Sequence, residues 1–126
     1  MPHPIWKDEP DEHDFPAAAD YLELIATPDH VRAIVAALRT APTVRKKAKD
    51  LLRATRLTLL EMDNPAVAAD LAKVHHGEPL SPVLVVRGDL GRGVDAQIAD
   101  GYHRICAGWY VSENTEIPCR IVDAGT

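Results

Sequence analysis

Apolar positions recur at helical spacing along residues 16 to 55, whereas along 56 to 126 they gather into short runs and amphipathic stretches separated by turn residues. From Pro16, Ala18, Leu22 and Ile25 share one helical face as far as Thr27-Pro28. Thr27 as N-cap and Pro28 as first helical residue start a second helix, whose stripe is Val31, Ile34, Val35 and Leu38. After the loop Thr40-Ala41-Pro42-Thr43 a third helix is predicted over residues 44 to 54. It has Val44, Ala48, Leu51 and Leu52 inward and Arg45, Lys46, Lys49 and Arg53 outward.

Leu57-Thr58-Leu59-Leu60-Glu61-Met62 predicts a buried strand. Asn64-Pro65 repeats the cap-and-proline signal for a helix over residues 65 to 76, with Val67, Leu71 and Val74 inward and Gly77 as its stop. His75 and His76 fall in its last turn, where the dipole favours cations. The aliphatic run Leu80 to Arg87 predicts a strand covered on both faces. The loop Gly88 to Gly93 makes a hairpin, and Val94 to Ala99 returns. Tyr102, Ile105, Cys106, Trp109 and Tyr110 mark the inner face of a helix, and Ile117 to Val122 a last strand that Pro118 assigns to an edge. The fold class expected is α+β: a small mixed sheet with packed helices, preceded by an N-terminal helical segment.

With 126 residues, one compact unit is expected, divided into an irregular acidic arm (1–15), a helical segment (16–55) and the sheet-bearing part (56–126). No apolar run approaches the ~20 residues that span a bilayer, and residues 1 to 9 lack the pattern of a secretory signal, so a cytoplasmic protein without a membrane partner is expected. The net charge of −5 is uneven: acids crowd residues 8 to 23, whereas Arg45, Lys46, Lys47, Lys49, Arg53 and Arg56 face only Asp50. A basic third helix after a short joint is compatible with a DNA-binding helix-turn-helix, although the acidic balance disfavours it. It is equally compatible with pairing to the acidic arm within the chain or in a homodimer. His3 and His13 among carboxylates lack the spacing of a metal site, so no protein metal site is expected. Cys106 and Cys119 read as reduced packing residues.

Candidate chemistry concentrates at Asp100-Gly101-Tyr102-His103-Arg104, where a strand feeds a Gly turn and then a helix. A helix start carries unpaired N–H groups and partial positive charge, which suit an anion. Arg104 in the first turn opposes the dipole, a conflict that a bound anion would resolve.

Asp100-Gly101-Tyr102-His103-Arg104-Ile105-Cys106-Ala107 resembles the sulfiredoxin signature Gly-Cys-His-Arg followed by Ala, and the partition-protein signature Gly-Glu-Arg-Arg-x-Arg-Ala. Gly101, Arg104 and Ala107 match both, and His103 matches the first. The upstream run Leu80-Ser81-Pro82-Val83-Leu84-Val85 and the closing run Ile117-Pro118-Cys119-Arg120-Ile121-Val122 resemble flanking strands of the same ParB/sulfiredoxin superfamily. The resemblance implies a nucleotide (ATP, ADP or CTP) with Mg²⁺, its phosphates held by Gly101, Tyr102, His103 and Arg104. Asp100 would be an outer metal ligand or the i,i+4 partner of Arg104.

The departures limit the chemistry. Tyr102 stands where sulfiredoxins carry their catalytic Cys, and Cys106 lies a turn deeper on the core face, so sulfinic-acid reduction is not expected. The family's lysine in the preceding helix is Ala66 here, leaving Lys73 as the substitute phosphate contact. The Asn-x-Gln-Arg motif of partition proteins is missing, so partition activity is not expected. Glu61, Asp63 and Glu78 are undistinguished candidates for a carboxylate base. The expected function is a nucleotide- or phosphate-ligand-binding protein, as a small NTPase or phosphotransferase if it is an enzyme. The alternative is a non-enzymatic DNA- or protein-binding regulator that uses the basic helix over residues 44 to 54.

Overall fold

The computed structural model describes residues 2–125. Its elements in chain order are α1 (Asp14–Leu22), α2 (Pro28–Thr40), β1 (Thr43–Lys47), α3 (Ala48–Thr55), α4 (Pro65–His75), β2 (Val83–Arg87), β3 (Gln97–Asp100), α5 (Tyr102–Val111) and β4 (Glu116–Asp123). The strands form one mixed sheet in the order β1-β4-β2-β3, parallel between β2 and β4 and antiparallel elsewhere. This is the α+β class expected.

Alternation along the strands divides the core. Val83, Val85, Ile98, Ile117 and Cys119 pack against α3, α4 and α5, while Leu84, Val86 and Ala99 pack under α1 and α2. The two caps read from the sequence hold. The Thr27 hydroxyl accepts from the His30 N–H, and the Asn64 carbonyl oxygen accepts from the N–H groups of Ala66 and Val67. Both cysteines are free and buried. Among the described residues, no helix is long and apolar enough to cross a membrane.

Several expectations are corrected. The third helix over residues 44 to 54 does not exist as one element. Residues 43 to 47 form an exposed edge strand paired to β4, from Thr43 opposite Arg120 to Lys47 opposite Glu116. The helix starts only at Ala48, where the Ala48 and Lys49 N–H groups donate to the carbonyls of Thr115 and Glu113. A strand between α2 and α3 also removes the helix-turn-helix.

Leu57 to Met62 is not a strand. Leu57, Leu59 and Leu60 pack on the α3–α5 side, and the carbonyls of Thr58 and Leu60 accept from the hydroxyls of Tyr102 (2.5 Å) and Tyr110 (2.7 Å). Extended backbone satisfied by side chains carries the same apolar pattern as a paired strand.

Pro118 lies not on an edge but in β4, between β1 and β2. It precedes the first β2–β4 register pair, Val83 with Cys119, so on that side its missing N–H interrupts no pair. Helix α1 begins at Asp14 instead of Pro16 and leaves Ile25 exposed beyond its end. Trp6 anchors the acidic arm by a bridge to Leu80, and Phe15 is buried under α2.

Candidate functional site

Strand β3 ends at Asp100, Gly101 turns the chain with φ +113°, and α5 begins. That backbone conformation suits only glycine, and an added Cβ would lie 2.4 Å from Val83 Cγ1. The first helical bond runs from the Ile105 N–H to the Gly101 carbonyl, and no side chain caps the N–H groups before it. This helix start borders a cavity of about 300 Å³ lined by Tyr21, Thr55 and Gln97 and by Asp100, Gly101, Tyr102 and His103, among others. The Tyr21 hydroxyl donates to Gln97 Oε1 across its wall. His103 is exposed, and its ring stacks on Tyr102 at a centroid distance of 5.7 Å.

Arg104 turns the other way. Its Nη1 donates to the Ser81 carbonyl (2.7 Å), to Ser81 Oγ and to the Pro82 carbonyl (3.0 Å), and its Nη2 donates to Asp100 Oδ2 at 2.6 Å. A second carboxylate, Asp14 Oδ2, lies 3.5 Å from Nη1 and accepts the Asp11 N–H at 3.0 Å. The side chains of Asp14, Arg104 and Asp100 are only 5%, 12% and 19% exposed. The guanidinium is therefore spent on the protein, where it ties α1 and the entry to β2 to the β3–α5 turn.

Two carboxylates share this one cation. Burial pushes the Asp100 carboxyl up to about 6, with Asp14 reinforcing the shift and Arg104 opposing it. On α4, burial likewise raises Asp70 against the pull of Arg104, Lys73 and His103. Cys106 lies in the core and is raised by burial, which suits packing and not nucleophilic attack.

Of the residues singled out from the sequence, Asp100, Gly101, Tyr102 and His103 line the cavity. Arg104 sits behind it, and Lys73 lies exposed on α4 outside it. Glu61, Asp63 and Glu78 are exposed and do not reach it. No protein-family model, curated protein or solved structure matches the chain. The sequence does not reveal Asp14 and Ser81 as partners of Arg104, because only the fold brings α1 and the approach to β2 to it.

Nor does the sequence reveal that Asp11, His13 and Asp14 place ligand atoms within 4.8 Å of one another. Their charges are already engaged. Asp11 pairs with Lys7 at 2.7 Å, which lowers its pKa, and Asp14 faces Arg104.

Proposed function

We propose that the chain binds a phosphate-bearing small molecule, with a nucleotide as the first candidate, in the cavity at the start of α5. The observation that carries this reading is an uncapped helix N-terminus bordering a cavity beside an exposed imidazole. The ligand class is the one that the resemblance to the ParB/sulfiredoxin superfamily implies, while the division of labour differs. Backbone N–H groups and His103 meet the phosphate, and Arg104 braces the turn from behind. Tyr102, its hydroxyl already donated to Thr58, offers a ring face for a base or sugar.

A cavity of about 300 Å³ takes a phosphate and its neighbouring group and leaves the rest of a nucleotide at the mouth. Mg²⁺ would then sit on the solvent side of the phosphates, since the nearest carboxylate, Asp100, is bonded to Arg104.

Calorimetric titration with ATP, ADP, CTP, GTP and inorganic phosphate, with and without Mg²⁺, tests the proposal. At least one phosphate ligand should bind, about tenfold more weakly to His103→Ala and unchanged to Lys73→Ala. No binding by any of them at millimolar concentration would overturn it.

A further inference from the structure

A second cavity lies on the other side of the end of α3. It is a groove of about 680 Å³ between α3 and the loop joining β2 to β3, over the ends of β2 and β4. The Ala96 N–H donates to the Ala54 carbonyl at 3.1 Å, and Arg56 pairs with Asp95 at 3.0 Å. These two links join α3 to the start of β3 between the groove and the α5 cavity.

The floor is apolar: Leu51 from α3, Val85 from β2 and Ile121 from β4. Ala54 and the exposed Val94 form its sides. In a chain of net charge −5, four cations line this one groove: Lys46, Arg53, Arg56 and Arg87. Three of them are already matched, Arg53 by Asp50 at 3.5 Å, Arg56 by Asp95 at 3.0 Å and Arg87 by Asp123 at 2.8 Å. Lys46 is different. Among the described residues it has no carboxylate oxygen within 4.0 Å.

We propose that this groove is a binding site for a small monocarboxylate with an apolar body, its hydrocarbon part lying over Leu51, Val85 and Ile121 and its carboxylate held by Lys46. The volume falls within the range of small-molecule sites, which are apolar with a few placed polar groups. One unmatched ammonium suits one negative charge. A phosphate dianion would bring a second charge without a partner, and Asp89 on the wall, which has no cation within 4.0 Å among the described residues, disfavours a second negative charge in the groove. This separates the groove from the α5 cavity, where phosphate would meet a helix start.

The test uses the full chain in an NMR titration with hexanoate, octanoate and uncharged octanol. Octanoate should shift the amides of Leu51, Val85 and Ile121. It should bind up to about fourfold more tightly for each methylene it has over hexanoate, and about tenfold more tightly than octanol. Lys46→Gln, on an exposed edge strand where the fold does not depend on it, should remove the preference for octanoate and leave octanol unchanged. Ala54→Phe should fill the groove and abolish both. The inference is overturned if neither compound binds at millimolar concentration, if the shifts map elsewhere, if octanol binds as well as octanoate, or if Lys46→Gln leaves octanoate affinity intact.

Discussion

Two arginines have side chains largely shielded from solvent, Arg104 at 12% and Arg120 at 10% exposure, and their surroundings differ in kind. Arg104 lies at the β3–α5 turn between the buried Asp14, the half-buried Asp100 and the acceptors of Ser81 and Pro82. Arg120 lies on β4, where Nη1 donates to the carbonyls of Leu38 (3.2 Å) and Arg39 (2.7 Å) at the end of α2. Among the described residues, the exposed Glu9 is the one carboxylate within 4.0 Å, at 3.9 Å, and its Nε has no partner. One cation is outnumbered by negative groups, and the other serves mainly as a cap for helix carbonyls. The first arrangement balances charge at a cavity; the second fastens α2 to the sheet.

The largest effect is expected at Arg104. Replacing it by Met strands Asp14 and Asp100 in a poorly hydrated pocket, and removing one partner of a buried ionic group costs about 3–5 kcal/mol. Denaturant unfolding of Arg104→Met should show a loss of that order. Adding Asp100→Asn to the variant should recover part of it, because one stranded charge is then gone. A loss below about 1 kcal/mol would mean that the guanidinium is not holding the two carboxylates.

What the sequence revealed about these two sites follows from how local each interaction is. The Asp100–Arg104 pair, four residues apart on one helix start, was readable, as were the Thr27-Pro28 and Asn64-Pro65 caps. The inward turn of Arg104 was not, because its other partners, Asp14 and Ser81, arrive from distant parts of the chain. The same reason hid β1. Val44, Ala48, Leu51 and Leu52 satisfy a helical stripe, and only pairing with β4, far along the chain, decides for a strand. Residues 57 to 62 and Pro118 misled because an apolar run or a proline carries no record of whether its backbone groups meet a ladder or a tyrosine hydroxyl.

Proton linkage sharpens the contrast at the next level. Folded, Asp100 holds its proton up to about pH 6, whereas unfolded it releases it near its ordinary value of 3.8. Between those values the native state binds more protons, so the contribution of this group to stability falls as pH rises from about 4 to 6 and is flat above. Over that window the slope of unfolding free energy against pH should be more positive in Asp100→Asn than in wild type and unaltered in Arg120→Met. Equal slopes in wild type and Asp100→Asn would remove the proposed imbalance around Arg104. At Arg120 itself, Met in place of the guanidinium forfeits two bonds to α2 carbonyls but also removes a buried charge with an unpartnered Nε. A net loss of about 1–2 kcal/mol is expected in the same unfolding experiment.

The smallest effect belongs to Ser81→Ala. Ser81 Oγ is one of three acceptors on Arg104 Nη1, and the other two are main-chain carbonyls that the substitution leaves in place. The guanidinium stays paired with Asp100 and beside Asp14, so no buried charge is stranded. Removing one of several bonds to a charged group should then cost about 1 kcal/mol, well below Arg104→Met and with the pH slope of the wild type. Should Ser81→Ala instead cost as much as Arg104→Met, the hydroxyl would be orienting the guanidinium toward both carboxylates. The two shielded arginines would then differ in a positioning hydroxyl as well as in charge.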